Sequence, residues 1–362
     1  MFPILRCFVL GALLSLFAVS ASRADKLVLV AGGTKDGNGI PATQAQLKTP
    51  FGVAFDKAGN VYFVEYTGHR VRKIDAKGVV TTVAGTGEKG DGGDGGPALK
   101  ATFNNLHSLA VTSDGDIYVA DTGNNRVRKI DARTGVVTTV AGTGEKGYGG
   151  DGGPAAKAKF GNIYCATLDA RGEKLYLADL DNRRVRVVDL KTNVVTTVAG
   201  NGEKGVPKDG AEAKSAPLVD PRAVAVDSKG NVYVLERGGH ALRVVGADGK
   251  IKTVAGTGKA GRDGDGGPAL EAQLNGPKHL CVDRDDNVIV ADTENDVIRK
   301  YTPRDGKIVR VAGTGKRGSA GAGGPPDRAE LAQPHGVAVD AAGALYIADS
   351  NNHRIFKVET NP

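Results

Sequence analysis

Six residues spaced 56 to 58 positions apart carry the side chains best suited to chemistry: Phe51, His107, Tyr164, Arg222, Lys278 and His335. The two imidazoles could ligate a transition metal, although a catalytic zinc generally takes three protein ligands. Arg222 and Lys278 could hold a carboxylate or phosphate, the first as a planar fork and the second as a point charge. Tyr164 could serve as an acid–base partner. Other reactive types recur without changing. An acid stands at Glu65, Asp121, Asp179, Glu236, Asp292 and Asp349, and an arginine at Arg72, Arg128, Arg186, Arg243 and Arg299. One acid and one arginine in nearly every repeat point to architecture: the acid accepting hydrogen bonds from its own following turn, the arginine pairing within or between repeats. The positions that differ from copy to copy are therefore the candidate ligand-binding set.

Other chemistries find no support. Long glycine-rich stretches such as Gly85–Phe103, Gly142–Phe160 and Gly256–Leu274 lack the Gly-Lys-Ser/Thr closing of a phosphate loop and the spacing of a calcium loop. Their Asp-Gly-Gly-Pro-Ala element reads as a tight turn followed by a short helix begun by proline. No Ser-His-Asp set or His/Cys cluster is visible. Beyond the first segment only Cys165 and Cys281 remain. They fall in non-neighbouring strands and read as unbridged small hydrophobes. His69, His240 and His353 lie between predicted strands and read as exposed turn residues.

These residues are positioned by a repeat. Val-Ala-Gly begins at Val30, Val83, Val140, Val198, Val254 and Val311. The pattern between these marks is clearest over His107–Gly144, and its six copies fill residues 51–362. Each copy reads as four short strands, like Gly336–Val339, Asp116–Ala120, Arg126–Ile130 and Val137–Val140, separated by Asp/Asn/Gly turns. Four strands repeated six times without long helices predict an all-β, six-bladed β-propeller. The last copy ends after its third strand, and Lys26–Ala31 (KLVLVA) supplies the missing fourth, closing the ring. The six candidate residues open the first strand of each blade and should ring one mouth of the central channel. His279, one residue out of register, should point away from the channel.

The stretches Gly123–Lys129, Asp292–Lys300 and Pro334–Arg354, with Gly336, Val337, Asp340, Asp349, Asn352 and Arg354, resemble NHL repeats over essentially all of residues 25–362. The resemblance implies a propeller of four-stranded NHL-repeat blades. Its relatives include bacterial extracellular sensors, peptidyl-hydroxyglycine lyases and protein- or RNA-binding modules, with lactonases further off, so fold alone selects no activity. In the lyases, His at this position in alternate blades binds zinc. Here the corresponding residues are His107, Arg222 and His335, and an arginine stays protonated and does not ligate metal. The resemblance therefore implies a lyase-type zinc site that is damaged or absent, and no metal or cofactor is expected.

Arg6, the apolar run Cys7–Val19 and the small residues before Asp25 read as a secretory signal cleaved after Ala24, or after Ala21. Residues 1–24 are then a signal peptide, and residues 25–362 a single propeller exported to the periplasm or beyond. Removing Arg6 and Arg23 lowers the net charge from +7 to +5, a scattered excess that does not indicate nucleic acid. Aromatics are only 5% and Trp is absent, against an aromatic base-stacking platform. No later segment has the apolar length of a membrane span. The expected function is non-enzymatic: a monomeric scaffold whose top face binds a protein, peptide or cell-surface polymer. The alternatives are a metal-assisted lyase or lactonase-like enzyme at the channel mouth, and a sensor of a small anion.

Overall fold

The computed structural model describes residues 25–360, so the predicted signal peptide lies outside the described residues. The chain forms six antiparallel sheets in sequence order, each with four long strands. Numbered from the N-terminus, blade 1 runs through Pro50–Phe55, Val61–Glu65, Arg70–Ile74 and Val79–Ala84. Blades 2 to 5 repeat it. Blade 6 contains Gly336–Val339, Leu345–Asp349 and Arg354–Glu359, and its fourth strand is Lys26–Ala31. That closing strand pairs Leu27 with Val358 and Leu29 with Phe356. The innermost strands contact one another in an unbroken cycle, blade 6 meeting blade 1. Lys26–Ala31 thus covers the edge that the third strand of blade 6 would otherwise leave open and gives that blade the same four strands as the others. Among the described residues no helix is long and apolar enough to cross a membrane, and helical structure is confined to single 3-10 turns.

The strands form because apolar residues fill both faces. Val61–Glu65 is wholly buried between neighbouring blades, the burial of a strand sandwiched on two sides. Predicted and observed strands differ by one residue in blade 2, where the second strand is Ile117–Asp121. Asp116 stands just before it, salt-bridged to Lys129 (2.5 Å). The glycine of Val-Ala-Gly has a steric reason: Gly85 has φ +95°, and a Cβ there would lie 2.4 Å from the carbonyl oxygen of His69.

The recurring acids and arginines build this frame. Each acid is fully buried and accepts a backbone N–H from the loop entering its own blade, as in Asn104 N–H to Asp121 (2.8 Å) and Gly161 N–H to Asp179 (2.7 Å). In the four aspartates the second oxygen takes the following turn, as from Asn124 Nδ2 (2.9 Å), while in Glu65 and Glu236 it accepts from Arg70 (3.0 Å) and Arg243 (2.7 Å). The arginine reaches back into the glycine loop: Arg128 Nε to Asp94 (2.8 Å), Arg186 to Asp151 (2.6 Å) and Arg299 to Asp265 (2.9 Å). The glycine loops are thus structural. A 3-10 turn follows the proline in three of them, at Ala98–Lys100, Ala155–Lys157 and Ala269–Glu271. Blade 6 departs as a unit, with Ala322 for the aspartate, Phe356 for the arginine and Leu29 for the threonine that Asp94 also binds through Thr139. Among the described residues the two cysteines, Cys165 and Cys281, are free.

Candidate functional site

The six first-strand residues converge, and they fill the channel mouth rather than leave it open. Phe51 is stacked on His335 (ring centroids 4.1 Å) and on Tyr66 (4.7 Å). His107 lies edge-on between Tyr66 (4.8 Å) and Tyr164 (4.4 Å). Arg222 covers the ring of Tyr164 at 3.7 Å, a cation–π contact. Lys278 completes the circle, salt-bridged to Glu294 at 2.7 Å. Beneath this plug a cavity of about 420 Å³ occupies the channel, lined by the inner strands and by the turns of the opposite face, including Asp283 and Arg284.

The electrostatics set the two histidines apart from metal ligands. Nδ1 of His107 sits 3.0 Å from the carbonyl oxygen of Asn105, and Nδ1 of His335 2.9 Å from that of Gln333. A carbonyl only accepts, so each Nδ1 carries the proton. Burial, then the charge of Arg222 for His107 and of Lys278 for His335, holds both imidazoles well below their ordinary pKa. They are neutral rings packed around Phe51. Among the described residues no group of three His, Cys, Asp or Glu side chains is placed to hold a metal.

Arg222 is the unusual member. It is 5% exposed, and its Nε and Nη1 are buried without any hydrogen-bond partner. Burial lowers its pKa to about 10, which still leaves it charged. An unpaired buried donor costs on the order of 1–3 kcal/mol, and more when charged. Asp220, two residues earlier, gives one oxygen to Arg237 (2.9 Å), while its other oxygen is buried and unpartnered.

Two sequence readings need correction. His279 lines the channel cavity, where its Nδ1 accepts the N–H of Val337 in the next blade (3.4 Å). Inner-strand side chains point toward adjacent blades, so alternation does not carry one out of the channel wall. Burial lowers its pKa to about 4. His69, His240 and His353 are not idle turn residues. Each is left-handed (φ 46–55°) and accepts, through Nδ1, an N–H of the following blade at 3.2 Å: Asn105, Gly276 and Thr49 respectively. Asn125 and Asp296 do the same for Asn162 (2.9 Å) and Gln333 (2.7 Å). Five of the six seams carry this clasp, two residues before the mouth ring. Asn, His or Asp before the third strand in five of the six blades was the available signal, since they tolerate positive φ.

Comparison with known families now decides the class. The Teneurin NHL domain family matches residues 24–91 and 155–261, and the NHL repeat family matches residues 103–130 and 331–358. The chain is an NHL-repeat protein. Protein SUPPRESSOR OF QUENCHING 1, chloroplastic, of Arabidopsis thaliana is 27% identical over 87% of this chain and 30% of its own length. NHL repeat-containing protein 2 of Gallus gallus is 27% identical over 84% of this chain and 46% of its own. Teneurin-1 of Gallus gallus is 30% identical over 61% of this chain and 9% of its own. The chain thus spans less than half the length of these relatives. Among solved structures, a structural genomics protein of Bacteroides thetaiotaomicron superposes with TM-score 0.68 at 22% identity, covering 92% of this chain and 76% of that one. A streptogramin B lyase superposes at TM-score 0.56 and 14% identity, covering 93% and 98%. At such identities these show the NHL propeller's shape and no more.

Proposed function

We propose that this NHL propeller is an exported, non-enzymatic binding module that docks a protein or peptide on the face bearing the mouth ring. One observation carries the reading. The residues shared by the blades are consumed in the frame, while the mouth ring holds five residue types at its six positions, histidine alone occurring twice, and contains the unpaired guanidinium of Arg222. Aromatic and arginine side chains clustered at the centre of a rigid face are the composition of a binding hot spot. The neutral, mutually packed histidines offer no assembled catalytic set to favour lyase or lactonase chemistry. The test immobilises residues 25–362 and captures partners from an exported fraction. Tyr66→Ala/Lys278→Ala should abolish capture that Asp283→Ala/Arg284→Ala, on the opposite face, leaves intact. Equal capture by both variants would overturn the proposal.

A further inference from the structure

Five seams between blades are clasped, and the one joining blades 3 and 4 is not. At that seam the clasp positions hold Arg183 and Asp220. Arg183 keeps the left-handed backbone (φ 48°) but donates to the carbonyl of Gly202 (3.3 Å) within its own blade and the loop after it. Asp220 is absent from the left-handed residues, unlike its counterparts Thr49, Asn105, Asn162, Gly276 and Gln333, and it is drawn instead to Arg237. Where the clasp is missing, a groove of about 520 Å³ opens on the mouth face, lined among others by Lys146, Asp181, Arg183, Lys204, Asp220 and Arg237. Val219 and Asp220 of its wall are followed by Pro221 and Arg222, and Arg222 lies outside the groove lining, over Tyr164 in the adjoining mouth ring.

The charges of this groove do not balance. Lys146 is paired with Asp181 (2.7 Å) and Arg237 with Asp220 (2.9 Å). Among the described residues Arg183 and Lys204 of the groove, and Arg222 of the adjoining mouth ring, have no carboxylate within salt-bridge distance. The uncompensated set is cationic, yet it stands beside a buried, unpartnered acceptor, Asp220 Oδ1. A phosphate or sulfate polymer offers acceptors only and would leave that oxygen unmet. A polypeptide with acidic side chains offers both carboxylates and N–H groups.

We propose that the groove at the seam of blades 3 and 4 binds an acidic peptide segment that runs on to the mouth ring, with Arg183 and Lys204 attracting its carboxylates in the groove, Asp220 accepting a peptide N–H, and Arg222 taking one carboxylate where the segment meets the ring. This rests on the docking function above and names the chemistry of the docked segment. The experiment titrates residues 25–362 into fluorescein-labelled hexaglutamate, with hexaglutamine as the uncharged control, and follows anisotropy at low and moderate salt. Saturable binding to hexaglutamate alone is expected, weakening as salt rises. Arg222→Gln and Arg183→Ser/Lys204→Ser should each weaken it about tenfold or more, the scale of one lost charge-assisted hydrogen bond. Thermal melts of both variants supply the folding control. Arg222→Gln removes an unpaired buried charge and should melt no lower than the parent. Absence of binding, binding unchanged in the variants, or tighter binding of polyphosphate to the same groove would each overturn the proposal. Capture of a protein through the mouth face that survives Arg222→Gln would remove this anchor and leave the docking function standing.

Discussion

Blade 6 has already made a swap that can be copied elsewhere. In blade 2, Arg128 is fully buried and bonded to Asp94 (2.7–2.8 Å), to the carbonyls of Thr102 (2.8 Å) and Gly92 (3.0 Å), and more distantly to Asp121 (3.9 Å). Asp94→Ala leaves that guanidinium short of its main counter-charge and strips a partner from Thr139. Removing one side of a buried pair costs about 3–5 kcal/mol, here nearer about 3 because Asp94 is itself partly solvated. Arg128→Phe strands two carbonyls and should cost a similar amount. In blade 6 both changes coexist, with Phe356 fully buried among Leu27, Leu331 and Val337. Asp94→Ala/Arg128→Phe should therefore cost well under the roughly 6 kcal/mol sum, with a coupling of about 2 kcal/mol within the range seen for contacting residues. The assay is a double-mutant cycle by urea denaturation at neutral pH, read as midpoint and slope. Additive losses would refute the claim that the two positions form one replaceable unit.

Deleting Asp25–Gly33 removes the fourth strand of blade 6, including fully buried Leu27 and Ala31, and should lower the melting temperature severely. Leu27→Ala alone should cost about 2–5 kcal/mol by circular dichroism melts. Asp296→Ala, which breaks the clasp to Gln333 and an ion pair to Arg317 (3.1 Å), should cost about 1–3 kcal/mol, whereas Arg183→Ala at the unclasped seam should cost less. Acid should weaken the fold through its histidines. His279 has a folded pKa of about 4 against 6.5 unfolded, so its contribution is complete above pH 6.5 and is lost as pH falls toward 4, by at most about 3 kcal/mol. Asp179 and Asp292, pushed up to about 6 chiefly by burial, act oppositely in that window. The informative quantity is thus the difference between parent and His279→Asn, which should shrink from pH 7 to pH 5.

The fold was legible because each blade repeats the same solution. Six copies of one strand pattern, ended by a blade short of one strand, require Lys26–Ala31 to close the ring. The joint loss of Asp, Arg and Thr in blade 6 spans both chain ends and carries the same message. The mouth ring was legible as a set, since its members share a register and differ in type. Its packing was not, because stacking of Phe51 on His335 depends on blade spacing, which no local pattern encodes. The clasps escaped for a related reason. His69, His240 and His353 look like ordinary turn residues until the neighbouring blade brings an N–H to each imidazole. The groove followed from a missing clasp, visible only once the other five were seen.

The central claim is that function resides on the mouth face. A photo-reactive residue placed in turn at Thr67 and Asn351 on that face, and at Lys57 and Ala341 on the opposite one, tests it most directly. All four positions are exposed. Covalent adducts to a common partner from the first two positions alone are the predicted result; adducts confined to Lys57 and Ala341 would contradict the account.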